Sequence, residues 1–203
     1  MKKYFFLSIT FLLGMLTSCK YASQIADAVG SIDMDGESAY KKAAELAAEV
    51  DPAWKVYYLS LDAEGMADQC RNTLGVIQVR MMNADGDAYV QNLYPVKTTP
   101  DIDKFAPKGV TFDELPAIDF TAEKALKNVN DCKAMIPEGY KFLNLYSYIK
   151  EYDANLKGYA TRIVINIQEE GKESVEVNGA KSDVYYQLEF MISPDGNIEM
   201  KEG

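Results

Sequence analysis

The chain has 203 residues with 21 basic and 31 acidic side chains, a formal net charge of −10, and no histidine. The lack of histidine excludes Ser-His-Asp and Cys-His nucleophile pairs and histidine-ligated zinc. The excess of acidic residues disfavours nucleic acid as a partner, because an acidic surface repels phosphate backbones.

The first residues have the pattern of a secretory signal peptide. Lys2 and Lys3 form a positive head, and Tyr4–Leu16 is an apolar core of about 13 residues. That core is shorter than the roughly 20 residues that a membrane-spanning helix needs. The alternative, a buried helix of the folded domain, does not account for the paired lysines or for the lack of a polar face.

The end of this segment resembles the lipobox of bacterial lipoproteins, in which an aliphatic residue and two small residues precede a cysteine. All four positions match, at Leu16, Thr17, Ser18 and Cys19. This resemblance implies cleavage before Cys19, a lipid thioether on its sulfur and a stable membrane anchor. Residues 1–18 are then the signal peptide. The mature body, without Lys2 and Lys3, has 19 basic and 31 acidic residues, a net charge near −12.

The resemblance places the protein in the cell envelope, anchored in the outer membrane by Cys19. Surface-exposed lipoproteins of Bacteroidota resemble one another in the acidic residues that follow the cysteine. The stretch from Lys20 to Gln24 has no acidic residue, which favours the periplasmic face.

The first half of the mature body predicts a tether (residues 19–36) and an α+β unit (37–96). Apolar residues recur at helical spacing from Glu37 to Val50, and Pro52 ends the helix. Three strands follow, at Trp54–Leu61, Val76–Met82 and Ala88–Tyr94, with a helical or looped segment at Gly65–Leu74 and a hairpin turn at Asp85-Gly86.

The second half predicts another α+β unit (121–203) after a proline-containing connector (97–120). Thr121 caps a helix that runs to about Met135, before Pro137. The predicted strands are Tyr140–Lys150, Tyr159–Gln168, Glu173–Val177, Val184–Ile192 and Asn197–Lys201.

Similar junctions begin the two units. The sequences PAWKVYYL at Pro52 and PEGYKFLNL at Pro137 lie 85 residues apart, each between a helix and a strand. They indicate a tandem duplication, or else a chance alignment of two helix-to-strand junctions. The layout resembles the PepSY-like and β-lactamase-inhibitor-protein-like lipoproteins of Bacteroidota. The resemblance implies an α+β fold with helices on one face of an antiparallel sheet, and a binding or inhibitory role without catalysis.

The mature chain keeps two cysteines besides Cys19. A disulfide between Cys70 and Cys132 would close a loop of about 62 residues and contribute roughly 4 kcal/mol in the chain-entropy model. The alternative is a pair of buried thiols, because Cys132 shares a helical stripe with Val129 and Ala125. Both remain open at this point.

Aromatic side chains on the strands are the candidate binding face. Alternation in a strand places Tyr57 and Tyr58 on opposite sides of the sheet, and likewise Tyr185 and Tyr186. Tyrosine and tryptophan dominate interface hot spots, so an open face would bind a partner. The candidate residues are Trp54, Tyr57, Tyr146, Tyr148 and Tyr185. In the alternative, the connector or a partner unit covers this face and the tyrosines are structural.

The sequence predicts neither a metal site nor a cofactor. Asp33–Glu37 and Asn83–Asp87 resemble calcium loops, but their glycines stand at position 4 where an EF-hand loop needs position 6. The leading hypothesis is a lipid-anchored, non-catalytic module that binds another envelope protein or polymer. The alternatives are a structural subunit of an outer-membrane complex and a carboxylate-dependent glycan hydrolase, which would need two carboxylates about 5–10 Å apart.

Overall fold

Two α-helices each precede a run of antiparallel strands. The computed structural model describes residues 31–65, 71–172, 174–177 and 180–201. Helix α1 spans Glu37–Ala48 and helix α2 spans Ala122–Ala134, close to the predicted bounds. The Thr121 hydroxyl caps α2 by accepting a hydrogen bond from the backbone N–H of Lys124 at 3.3 Å.

The chain divides into two units, Met1–Ile32 and Asp33–Gly203, and the helices and strands of the described residues lie in the second. Residues 1–30, which include the predicted signal peptide, Cys19 and most of the tether, lie outside the described residues. Neither of the two described helices is both long and apolar enough to cross a membrane.

Eight strands form one antiparallel sheet, in the order β10-β9-β6-β5-β1-β2-β3-β4, and β7 and β8 pair separately. The strand bounds are β1 Lys55–Ala63, β2 Leu74–Met82, β3 Ala88–Tyr94, β4 Asp101–Ile102, β5 Tyr140–Asp153, β6 Gly158–Glu169, β7 Ser174–Val177, β8 Ala180–Asp183, β9 Tyr186–Ile192 and β10 Ile198–Lys201. The α+β class expected from the sequence is confirmed.

The strands differ from the predicted ones in three places. Strand β4 lies inside the connector, where no strand is predicted. Strand β8, Ala180–Asp183, is not predicted either, and the predicted strand Val184–Ile192 begins only at Tyr186, after the link 184–185. Residues 66–70, within the predicted segment Gly65–Leu74, lie outside the described residues.

The first strands of the two halves meet in the middle of the sheet. Strand β1 pairs antiparallel with β5, with Leu61 opposite Tyr148 and Tyr58 opposite Glu151. On one side of this pair the order is β2, β3, β4, and on the other it is β6, β9, β10. All eight strands therefore share one continuous ladder of backbone hydrogen bonds.

The core lies where the helices meet the central strands. Helices α1 and α2 contact each other, and Tyr40 of α1 packs edge-on against Tyr148 of β5, with 5.7 Å between ring centroids. Eight apolar side chains of the sheet have no exposed surface, namely Leu59, Leu61, Ile77, Val79, Leu145, Ile163, Ile165 and Phe190. They alternate along their strands with more polar neighbours, as the period of two requires.

A β-bulge in β1 changes the direction of one tyrosine. The register of β1 against β2 shifts between Val56 and Tyr58, so Tyr57 has no partner in the ladder. Tyr57 and Tyr58 consequently pack in the same cluster, with Met82 and Leu115. The alternation expected for Tyr57 and Tyr58 is wrong, because the extra residue of a bulge interrupts the period of two.

Candidate functional site

Two of the five predicted binding-face residues are buried. Tyr148 is 1% exposed and contacts Tyr40 and Phe120, with centroids 5.7 Å and 5.9 Å away. Burial raises the pKa of Tyr148 to about 12. Tyr57 is 4% exposed. In this structure neither side chain is available to a partner, and both are part of the packing.

The other three residues are partly buried and do not converge. Trp54 packs against Tyr89, with 4.7 Å between ring centroids. Tyr146 occupies the bulge of β5 between Leu145 and Ser147, and Tyr185 lies just before β9. The five predicted residues thus do not form one aromatic surface.

A different group of side chains forms a cluster beside the β1 bulge, buried at Tyr57 and Asp103 and exposed at Phe105. We call it the Arg80 cluster, and it consists of Tyr57, Tyr58, Arg80, Asp103 and Phe105. The two tyrosines come from β1, and Arg80 comes from β2, where it stands opposite Tyr58. Asp103 and Phe105 follow β4 in the connector.

Asp103 holds this cluster together. Its Oδ2 accepts a hydrogen bond from the Tyr57 hydroxyl at 2.5 Å, and its Oδ1 accepts one from the backbone N–H of Phe105 at 2.8 Å. Its own backbone N–H donates to the carbonyl of Ala88 at 2.9 Å. With 7% of its surface exposed, Asp103 fixes the connector against β1 and β3.

Arg80 lies between two aromatic rings. Its guanidinium carbon is 4.6 Å from the ring centroid of Tyr58 and 5.6 Å from that of Phe105, and Nη1 is 3.8 Å from Oδ2 of Asp103. Such cation–π contacts stabilise by roughly 0.5–2 kcal/mol. The Arg80 Nε is buried and has no hydrogen-bond partner among the described residues, an exception that folded proteins rarely tolerate without a reason.

Phe105 is the exposed end of the cluster. Its side chain is 77% exposed, although its backbone is bonded to Asp103 and its ring faces Arg80. Ile102 of β4 is 68% exposed nearby in sequence. Single exposed apolar side chains are common on protein surfaces. Phe105 is distinguished by its position beside Arg80 and two tyrosines, residue types that are enriched in interface hot spots.

Burial governs the ionisation of both tyrosines. Burial raises the pKa of Tyr57 far above its usual range, and the hydrogen bond to Asp103 and the negative charge of that residue raise it further. Burial also raises the pKa of Tyr58, while a hydrogen bond with Ser60 and the charge of Arg80 act in the opposite direction. The Tyr57 phenol is therefore a neutral hydrogen-bond donor to Asp103.

The connector covers part of the same face. Leu115 is 1% exposed and packs with Tyr57 and Met82. Lys55 Nζ lies 4.4 Å from the Phe112 ring centroid and donates a hydrogen bond to the Phe112 carbonyl at 2.9 Å. The connector therefore lies over the side chains packed around Tyr57, while Phe105 stays exposed.

Sequence reasoning did not find the Arg80 cluster. Alternation in β2 places Arg80 on the side away from Val79, which is a usable signal. Asp103 and Phe105 stand in a stretch without periodicity, and nothing local ties them to β1.

The structure describes only one of the two cysteines of the predicted disulfide. Cys132 is a free thiol with no exposed surface, whereas Cys70 and the lipobox residues Leu16, Thr17, Ser18 and Cys19 lie outside the described residues. The disulfide stays a prediction. Within the described ranges, no group of three acidic or cysteine side chains is placed to hold a metal ion.

Comparison of the chain with protein-family models, with curated proteins and with solved structures finds no match.

Proposed function

We propose that the protein is a lipid-anchored, non-catalytic binding module of the cell envelope, and that the Arg80 cluster is the centre of its binding surface. The observation that carries the proposal is Phe105, which is 77% exposed but fixed by Asp103 and Arg80. A partner that covers this ring gains apolar burial and loses little conformational entropy, because the ring is already held.

The composition of the cluster supports a protein or polymer as the partner. Arginine and tyrosine are enriched among the residues that dominate interface energies, and both are present here beside an exposed phenylalanine. The mature body has a net charge near −12. Arg80 therefore offers a local positive group to an acidic partner.

The test compares capture of a partner by the intact lipoprotein and by two variants. We expect Phe105→Ala and Arg80→Ala to lower capture from detergent-solubilised envelopes by about tenfold or more, the range of interface hot spots. Leu156→Ala is the matched control, since Leu156 is another exposed apolar side chain, 55% exposed, in the turn between β5 and β6. Equal capture by Phe105→Ala and the wild type would remove the Arg80 cluster from the proposal.

The same experiment separates the binding module from a structural subunit. A stoichiometric partner that stays bound in high salt would favour a permanent subunit of an outer-membrane complex, because large apolar interfaces resist screening. A partner released by salt favours the reversible module.

We propose that the protein is anchored to the membrane through Cys19, and the lipobox is the sole support for this proposal. Replacement of Cys19 by alanine removes the thiol that takes the lipid, so we expect loss of fatty-acid labelling and release into the soluble fraction. The lack of acid from Lys20 to Gln24 supports the periplasmic face. Protease treatment of intact cells should leave the protein uncut, and its degradation would place it on the cell surface.

We further propose that both helices cover one face of the sheet and that the two halves arose by duplication. The junctions at Pro52 and Pro137 precede β1 and β5, which pair at the centre of the sheet. Mixing fragments 31–120 and 121–201 should then restore one β-rich complex, detected by circular dichroism and size exclusion. Two fragments that do not associate would contradict this arrangement.

A further inference from the structure

A cavity of about 210 Å³ lies between the first turns of α2 and the strands β5, β6 and β9. We call it the Lys150 cavity. Three lysines line it, Lys124 and Lys127 from α2 and Lys150 from β5, together with one carboxylate, that of Asp119. This concentration of positive charge is unusual in a body of net charge near −12.

The three lysines differ in whether a neighbouring carboxylate balances their positive charge. Lys124 pairs with Asp119 at 2.5 Å, and Lys127 pairs with Asp131 at 2.5 Å, both near the surface. Lys150 is half-buried, and none of the ion pairs among the described residues includes it, although the charge of Asp119 acts on it. Its nitrogen lies 6.0 Å from the ring centroid of Tyr159, which also lines the cavity.

Keeping Lys150 charged in this half-buried position therefore costs free energy. Burial lowers the pKa of its ammonium group, and the charge of Lys124 lowers it further, while Asp119 acts in the opposite direction. An anion in the cavity would compensate this charge directly, and such charge-assisted hydrogen bonds are stronger than neutral ones.

The rest of the wall is polar and aromatic. The Tyr148 hydroxyl is hydrogen-bonded with Thr161 and Asn128, and all three residues line the cavity. The volume is below the 300–1,000 Å³ typical of sites for drug-sized ligands. The cavity therefore suits a molecule that carries one charged group and a few polar atoms.

We propose that the Lys150 cavity binds a small oxyanion, a carboxylate, phosphate or sulfate, with Lys150 as the central cation. This site is separate from the Arg80 cluster, and neither proposal depends on the other. The charged oxygens are common to the three ligand classes, and separate titration with one anion of each class distinguishes them.

Calorimetric titration of the mature lipoprotein in detergent with inorganic phosphate, inorganic sulfate and glucuronate tests the site. We expect at least one of them to bind with a dissociation constant of about 1 mM or tighter. Lys150→Gln should weaken that binding by about tenfold or more. Lys97→Gln, which changes an exposed lysine paired with Glu49, should change it by less than about twofold.

The pH dependence gives a second readout. Binding of sulfate or glucuronate, whose own charges are constant at neutral and alkaline pH, should weaken as the pH rises and Lys150 loses its proton, and this dependence should be reduced in Lys150→Gln. Lack of binding by all three anions at about 10 mM would overturn the proposal. Equal losses in the Lys150 and Lys97 variants would overturn it as well, and an unchanged melting temperature in Lys150→Gln shows that the variant is folded.

Discussion

The hydroxyl of Tyr57 donates a hydrogen bond to Oδ2 of Asp103 at 2.5 Å, across 46 residues of chain. Both residues are almost fully buried. The bond exists because the bulge at Tyr57 turns its side chain toward the connector. It joins the first half of the sheet to the segment that carries Phe105.

Tyr57→Phe should lower the free energy of unfolding by about 1–3 kcal/mol, because it leaves a buried carboxylate oxygen without its donor. Urea denaturation measures the change. Tyr89→Phe is the control, since it removes a hydroxyl and keeps the ring contact with Trp54. If both variants lose the same small amount, the bond to Asp103 contributes little to stability.

Asn72, which lies just before β2, forms hydrogen bonds with two distant parts of the chain. Its Nδ2 donates to Oδ1 of Asp35 at 2.5 Å, and its Oδ1 accepts from the backbone N–H of Leu145 at 3.1 Å. Lys133 of α2 donates to the other oxygen of Asp35 at 2.8 Å. One side chain thus connects the strand β5 to the residues before α1.

Asn72→Ala should destabilise the protein by about 1–3 kcal/mol, because it leaves the N–H of Leu145 unpaired. Hydrogen exchange should show faster exchange of that amide in the variant. Asn155→Ala, in the exposed turn before β6, is the control and should change stability by less than about 0.5 kcal/mol. Unchanged exchange at Leu145 would mean that another group replaces the lost acceptor.

The parts that could be predicted from the sequence are those with local causes. Pro52, Thr121 and Pro137 set the helix ends through backbone geometry and capping, which a short window contains. The Asp85-Gly86 turn likewise sets the β2–β3 hairpin.

The remaining features depend on contacts between distant parts of the chain. The bulge at Tyr57 leaves no sign in the pattern of residues, and β4 has two residues, too few for a period of two to be seen. The bond from Tyr57 to Asp103 needs the folded sheet before the two residues meet. For this reason the exposed aromatic residue of the candidate surface is Phe105 and none of the five predicted from strand alternation.

Asp62 makes stability depend on pH. Burial raises the pKa of its carboxyl group, while hydrogen bonding with Ser60 and the charge of Arg162 lower it. The Ser60 hydroxyl donates to Oδ2 of Asp62 at 2.8 Å. A raised pKa in the folded state means that protonated Asp62 stabilises the fold at low pH, and that this contribution is lost as the pH rises through the folded pKa.

Asp62→Asn should therefore raise the melting temperature at about pH 7, and the gain should disappear near pH 3, where the unfolded chain also holds the proton. Melting curves at several pH values measure both effects. Asp113→Asn, at an exposed position of the connector, should show no such dependence. A lower melting temperature for Asp62→Asn at pH 7 would show that the attraction of Arg162 outweighs the cost of burial.

The thiol of Cys132 should be unreactive in the folded protein. It has no exposed surface, and burial, together with the charge of Asp131, raises its pKa to about 12. Alkylation requires an accessible thiolate, and at about pH 8 this group supplies neither the access nor the charge. Iodoacetamide should therefore leave Cys132 unmodified in native buffer and modify it fully in denaturant.

Peptide mapping after denaturation without reductant makes the experiment decisive for Cys132. Modification under these conditions shows a free thiol, as the structure has it. Protection that disappears only after reduction would instead show a disulfide, with Cys70 as the expected partner. A second comparison, before and after denaturation in the Cys19→Ala variant, removes the lipidated cysteine from the count. Rapid modification of Cys132 in native buffer would mean that α2 opens often enough to expose it.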